Sequence, residues 1–306
     1  NEDNTHRMII KQGRLMLGRP HKYEYIVDLE GDTAPARIVR LIGREKKVLE
    51  IGAGPGSIAR ILRENNDCRV TGIEVDPEAI KRLLVCCDRV YQTDLNDVAW
   101  AEVLRDEGKF DVVLAADVLE HLYNPLAVLK TMKGLVSADG CIVVSLPHVA
   151  HSAVVACLMT ENFDYRDWGL LDRTHIRFFG VKDMQALFDQ AGLKIVHAEF
   201  VVRAPEETEF AEHWREMKEN VRAAVSTNPF GEVYQVVIKA VPKGRDDKPI
   251  SLCSLVVDSR ARGGIIQHSS FGQKCVEGVR TWVRRHTSPE SRMILRRFMR
   301  SLHMTI

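Results

Sequence analysis

From residue 47 to residue 146, short apolar runs alternate with stretches whose apolar positions recur every three or four residues. The runs at 47–52, 69–74, 90–92, 110–116 and 141–146 are rich in Val, Ile and Leu, and each predicts a strand. The stretches at 57–64, 77–85 and 125–136 have helical spacing, and Pro77 stands at a favoured first helical position. Near-continuous apolar strands separated by helices predict a parallel sheet covered on both faces. Ahead of this pattern lies a polar, basic lead (1–22), then a short amphipathic helix at 33–42. Behind it the rhythm breaks over residues 147–180, a long segment rich in aromatic residues, His, Asp and Arg. The rhythm resumes with a helix at 182–191 closed by Gly192, a strand at 193–202, a helix over 206–225 charged on one side, and a last strand at 232–240. The expected fold is α/β: a seven-stranded, mostly parallel sheet with helices on both faces and the last strand antiparallel. The chain divides into a lead with a helix (1–44), a main domain (45–242) carrying the 147–180 insertion, and a basic linker and tail (243–306). Within the last part, 243–264 reads as linker and 280–302 as a basic helix starting near 288–290.

Composition narrows the setting. The chain of 306 residues is 45% apolar and 28% charged, ordinary values for a globular protein. No run approaches the roughly 18–20 uninterrupted apolar residues of a membrane span; the most apolar candidate, 143–159, is broken by Pro147, His148 and His151. Residues 1–6 are polar, without the apolar stretch of a secretory signal and without an initiator Met. Seven cysteines, with no C-x-x-C pair or zinc-type spacing, predict reduced thiols and a cytoplasmic location. Net charge is +1, but residues 243–306 hold 13 Lys and Arg against 5 Asp and Glu, leaving 30 against 37 elsewhere. An acidic body with a basic tail suggests either two regions with different partners or a solvated extension.

The chemistry begins with Val-Leu-Glu-Ile-Gly-Ala-Gly-Pro-Gly-Ser at 48–57. Gly52, Gly54 and Gly56 let the backbone turn tightly and approach a ligand, and the helix that follows points free N–H groups at an anion. A dinucleotide fingerprint needs a third glycine where this chain has Ser57. Instead, G-x-G-x-G with Glu50 two residues before it resembles the first motif of the class I (Rossmann-like) S-adenosylmethionine-dependent methyltransferases. Glu74 ends the second strand, where a carboxylate can accept both ribose hydroxyls. Asp76 beside it reads as a helix cap or a further ligand contact. Asp94 follows the third strand, at the family's adenine contact. Phe110-Asp-Val-Val-Leu-Ala-Ala-Asp-Val-Leu-Glu-His-Leu122 resembles the family's motif after the fourth strand, with small Ala115 and Ala116 as a wall against a ligand. The resemblance covers about residues 45–240. It implies S-adenosylmethionine as cofactor, held by Glu50, Gly52, Ala53, Gly54, Gly56, Glu74, Val75, Asp94, Leu95, Ala115 and Ala116.

A methyl group leaves a sulfonium by in-line displacement, so the protein must position a nucleophile, and a hydroxyl acceptor benefits from a base. His121, His148, His151 and His175 are the candidates. His121 either lines the acceptor pocket or serves packing; His148 and His151 follow the fifth strand on the ligand edge. Asp172-Arg173-Thr174-His175 resembles a signature of bacterial methyltransferases found among glycan-assembly enzymes, lying there over the acceptor pocket. Asp172 and Arg173 shape that pocket, or else form an ion-pair network pinning the insertion. No carboxylate/His spacing compels a metal, and Glu120-His121 alone is too little to claim one. The expected activity is methylation of a hydroxyl on a sugar, glycan-linked or other small-molecule acceptor. A quinone or phenol acceptor is the alternative, because Glu-His-Leu after strand four also resembles ubiquinone-type enzymes. A nicotinamide oxidoreductase and a non-catalytic cofactor-binding module are readings from other classes. Nucleic acid is not an expected partner: no Asn-Pro-Pro-Tyr-like motif occurs, and Asn228-Pro229-Phe230 comes too late.

Overall fold

The computed structural model describes residues 21–255 and 257. The first 20 residues, the later part of the expected linker and the expected helix at 280–302 lie outside the described residues. One sheet of seven strands organises the rest: β1 (Lys47–Ile51), β2 (Arg69–Glu74), β3 (Arg89–Gln92), β4 (Phe110–Ala116), β5 (Val136–Pro147), β6 (Leu193–Val202) and β7 (Val233–Pro242), in the order β3-β2-β1-β4-β5-β7-β6. β1 to β5 are parallel, and β7 runs antiparallel to both β5 and β6. This is the expected seven-stranded, mostly parallel sheet with its last strand antiparallel.

Alternate residues of each central strand enter opposite cores, as the period of two requires. On β4, Val112 and Leu114 pack with α1 (Ala34–Ile42), α2 (Ser57–Glu64) and α3 (Pro77–Cys86). Val113 and Ala115 face the other way, towards α4 (Pro125–Leu135) and α6 (Val181–Gln190). Three of these helices begin alike, with a proline in the first turn and a side-chain oxygen accepting a backbone N–H. Thr33 accepts from Ala36, Asp76 from Glu78 and Asn124 from Ala127. Asp76 is therefore a cap.

Three departures from the sequence reading matter. The insertion contains α5 (Ser152–Met159), apolar on every side and so without a periodic signal. The expected 206–225 helix is two short ones, α7 (Ala211–Glu216) and α8 (Glu219–Val225), separated by extended backbone at Met217 and Lys218. Residues 243–255 pack back on the domain where a linker was expected. Lys243 N donates to Gly192 O (3.1 Å) and Ile250 N to Ile195 O (2.8 Å), while Leu252 and Leu255 are buried in the α6 core. Among the described residues six cysteines are free thiols, and no helix is long and apolar enough to cross a membrane.

β1 and β4 are neighbours although the chain winds away from them in opposite directions. In open α/β sheets such a switch point opens a crevice at the carboxyl ends of the strands, and ligands bind there.

Candidate active site

A cavity of about 580 Å³ fills that crevice. Its floor is the turn between β1 and α2, where Gly52 and Gly54 have φ of +61° and +54°. A side chain at either would strain the backbone; at Gly52 a Cβ would also meet Val118 at 2.7 Å, whereas at Gly54 it would point into open space. Glu74, at the end of β2, ties the turn down. Its Oε2 accepts from Gly54 N (2.7 Å) and its Oε1 from Val75 N (2.7 Å) and Asp76 N (2.9 Å). Glu50 on β1 is buried beside it with no hydrogen-bond partner at Oε2. Burial, with the charge of Glu74 adding to it, pushes the Glu50 carboxyl up to about 8. An acid this high is ready to ionise against an incoming cation. Asp94, Leu95 and Asn96, after β3, complete this half of the wall.

The opposite half belongs to the turn after β4 and to the insertion. Asp117 sits there at φ +51°, unusual for a residue with a side chain. Its Oδ1 accepts from Ser145 Oγ and its Oδ2 from Gln235 Nε2, both at 2.8 Å. The Glu120 carbonyl accepts from Ile176 N (3.0 Å) and Arg177 N (2.9 Å), so the insertion is stitched directly to this turn. That stitching brings His175 against His121, ring centroids 4.8 Å apart. Burial, then the neighbouring His121, depresses His175 to about 4, leaving it neutral near pH 7. Glu120 is buried and its carboxyl is pushed well above the usual range, first by burial and then by Asp117. Asp172 accepts at Oδ1 from Thr174 N (2.8 Å) and Thr174 Oγ1 (2.7 Å). Its Oδ2 meets Lys22 Nζ and the Tyr23 hydroxyl, each at 3.5 Å. Burial alone would raise Asp172; the Thr174 hydrogen bonds and the Lys22 charge hold it below its ordinary value.

The cavity therefore gathers Glu50, Gly52, Ala53, Gly54, Glu74, Val75, Asp94, Leu95 and Ala116 on one side, and His121, Asp172 and His175 on the other. Gly56 and Ala115 do not line it. Gly56 is left-handed at the start of α2, packed by Leu83 and Cys86, and Ala115 is core. The placing of His148 and His151 in the acceptor pocket is corrected by their burial elsewhere. His148 Nδ1 donates to Val233 O (3.0 Å). His151 caps α5: its Nδ1 accepts from Ala153 N (3.1 Å) and its Nε2 donates to Arg203 O (2.9 Å), using both ring nitrogens. Burial lowers both imidazoles, His151 to about 4. Arg173 points away and pairs with exposed Asp167.

Sequence reasoning missed the strap at 21–25. Its His21, Tyr23 and Tyr25 line the cavity, with His21 Nε2 on Asp76 Oδ2 (2.9 Å), Glu24 on Arg82 (2.7 Å), and Tyr25 N donating to Ser57 Oγ (3.1 Å). The alternation of Tyr23 and Tyr25 was its one signal. It also missed Trp168, Tyr234 and Gln235 as lining residues.

A switch-point cavity with a glycine turn under one end and a ribose-type carboxylate beside it defines a nucleotide-cofactor-binding α/β protein. Residues 24–198 match the family model described as a methyltransferase domain. The chain belongs to that family, and its cofactor is S-adenosylmethionine. Similar curated proteins include the ubiquinone biosynthesis O-methyltransferase of Haemophilus ducreyi, 32% identical over 108 residues, covering 33% of this chain and 44% of that one. The mitochondrial ubiquinone biosynthesis O-methyltransferase of Arabidopsis thaliana is 35% identical over 102 residues, covering 32% and 31%. The chain thus spans less than half the length of these relatives. Among solved structures, an S-adenosylmethionine-dependent methyltransferase from Mesorhizobium loti aligns over 70% of this chain and 99% of its own at 15% identity and a TM-score of 0.47.

The residues fit the cofactor. The open space at the Gly54 Cα leaves room for a ligand against bare backbone, and the orphaned Glu50 Oε2 offers an acceptor to its amino group.

Proposed function

We propose that the chain methylates a hydroxyl oxygen of a small-molecule acceptor. The observation that carries this is the continuity of one cavity, with the glycine turn, Glu50 and Glu74 at one end and His121, Asp172 and a neutral His175 at the other. When bound, S-adenosylmethionine supplies an electrophilic methyl group. Gly54 and Glu74 would seat the nucleoside, Glu50 the amino group, and Asp94 the adenine end. Across the cavity, the side chains of His121 and His175 would orient the acceptor hydroxyl and ease the loss of its proton. Proton transfer by a positioned side chain is worth roughly 10²–10⁴-fold. The strap at 21–25 and the insertion would keep water out.

The acceptor we favour is a sugar or glycan-linked hydroxyl. Trp168, 59% exposed, offers a flat apolar face, and the two imidazoles offer polar partners in the same cavity. A phenol or quinol is the second reading, favoured by the similarity to ubiquinone biosynthesis O-methyltransferases. The test is a panel of free and nucleotide-linked sugars alongside catechols and hydroquinones, incubated with methyl-labelled cofactor. Label on a sugar hydroxyl supports the first reading and label on a ring hydroxyl the second. Label appearing on nitrogen or carbon acceptors alone would overturn both.

A further inference from the structure

Two carboxylates stand on the turn after β4, and their surroundings differ. Asp117 is satisfied at both oxygens by Ser145 and Gln235. Glu120 is 0% exposed and neither of its side-chain oxygens has a hydrogen-bond partner. Buried polar groups are ordinarily paired, and a buried carboxyl with nothing at either oxygen is costly whether ionised or neutral. What faces it is a pair of imidazoles. His175 Nε2 lies 3.9 Å from Glu120 Oε1, and the His175 side chain is 7% exposed. Each ring is held from behind at Nδ1: His175 by Leu170 O (3.2 Å), His121 by Thr174 O and Oγ1 (both 3.1 Å). An Nδ1–H donated to a backbone carbonyl fixes the tautomer and leaves Nε2 with a free lone pair. That is how metal-ligating imidazoles are oriented.

We propose that Glu120, His121 and His175 bind a divalent transition-metal ion on the acceptor side of the cavity. One donor atom from each lies within 4.8 Å of the other two. Ligand bonds of about 2.0–2.2 Å require donors roughly 3–3.5 Å apart, so the widest pair must close by up to about 1.5 Å. Glu120 can contribute to that closure without breaking any side-chain hydrogen bond. Two nitrogens and one carboxylate suit zinc, iron, cobalt or manganese, whereas magnesium and calcium take oxygen shells. Glu120 comes from the turn after β4 and His175 from the insertion, so the ion would join the two elements that the Glu120 carbonyl already stitches. All three residues line the cavity, leaving the remaining coordination positions open towards it. On the methyl-transfer reading above, those positions receive the acceptor hydroxyl; with both Nε2 lone pairs on the ion, the cation and not a free imidazole eases the proton off, by lowering the pKa of the oxygen it holds.

The test needs no acceptor. The 306-residue chain is stripped with a chelator, dialysed, and titrated with Co²⁺ by visible absorption and with Zn²⁺ by calorimetry. One equivalent of each ion is expected to bind. Glu120→Gln and His175→Ala should each weaken binding beyond the roughly 10–100-fold that loss of an outer-shell partner costs. His197→Ala, at an exposed His paired with Glu199, should change nothing. S-adenosylmethionine binding on the same samples reports folding and separates the two proposals. Metal binding without cofactor binding removes the methyl-transfer reading and keeps the ion site; cofactor binding without metal does the reverse. No binding of either ion at about 100 μM, or undiminished binding in both variants, overturns the site. If Glu120→Gln fails to fold, His175→Ala decides alone.

Discussion

Binding of S-adenosylmethionine should expel a proton from Glu50. In the free protein this carboxyl sits at about 8, raised by burial and then by Glu74. At pH 7 it is therefore about nine-tenths protonated. The ligand brings a cationic amino group to the orphaned Oε2, and an opposite charge at that range lowers an acid's pKa. The bound carboxylate is ionised and the free one is not. Each binding event between the ordinary 4.5 and about 8 then releases up to one proton. Affinity should rise about tenfold per pH unit across that window, about 1.4 kcal/mol, and level off above it. Fold stability has the opposite sign: the native state holds a proton that the unfolded chain has lost above 4.5, so Glu50 stabilises less as pH climbs through about 8. For Glu50→Gln the magnitude follows from two opposed quantities. A hydrogen bond to a charged group contributes about 1.5–3 kcal/mol, and deprotonating Glu50 at pH 7 costs about 1.4 kcal/mol. The variant should lose between nothing and about 1.6 kcal/mol, up to about 15-fold in Kd, together with the pH slope. Calorimetry at pH about 6 and about 7, in buffers of differing ionisation heat, measures both quantities below the titration of the ligand's own amino group, near 7.7–8.0. Affinity independent of pH with no proton released, or an unchanged slope in Glu50→Gln, refutes the reasoning.

Gly54→Val puts a β-branched side chain at φ +54° and into the cavity; the protein should fold and lose cofactor binding, as calorimetry beside circular dichroism will show. His151→Ala removes the cap of α5 and the donor to Arg203 O, so Tm should drop by the equivalent of about 1 kcal/mol or more. Turnover per folded molecule should hold; lost turnover with unchanged Tm would return His151 to the chemistry. A chain ended after Pro242 loses buried Leu252 and Leu255, each worth about 1.5–3 kcal/mol, and should melt earlier than one ended after Val257. Equal melting of the two would show that the 243–255 segment adds nothing to the core.

The sheet was legible because its strands are buried on both faces and its helices on one, which gives two distinct periods. The glycine turn and Glu74 were legible because backbone approach and ribose recognition need particular residues at particular places. Local composition could not show what distant chain does to a side chain. Asp117 and Glu120 look alike in the sequence; only Ser145 and Gln235, far along the chain, make one satisfied and leave the other bare. His148 and His151 sit at the ligand edge by position. They turn inward because α5 starts at Ser152 and β7 runs alongside, supplying Ala153 N and Val233 O to their rings. The strap at 21–25 owes its place to single pairings with Asp76, Arg82, Ser57 and Asp172, none of which leaves a periodic trace.

The Asp172–His175 segment also shows why its two sequence readings, a pinning network or a pocket wall, were never exclusive. Asp172 spends one oxygen on Thr174 and the other on the strap, which is a pinning role. Thr174, so fixed, supplies its carbonyl and hydroxyl to His121 Nδ1, and the next residue is His175, whose Nδ1 is held by Leu170 O. The pins are thus what aim both imidazoles at Glu120. Cutting Asp172 should therefore disturb the chemistry through the His pair rather than through any contact of its own with the acceptor. Asp172→Asn keeps an acceptor for Thr174 and loses the charge that meets Lys22, so it should loosen the strap more than the imidazoles. Asp172→Ala should loosen both, and a turnover loss much larger in Ala than in Asn is the outcome this order of causes requires.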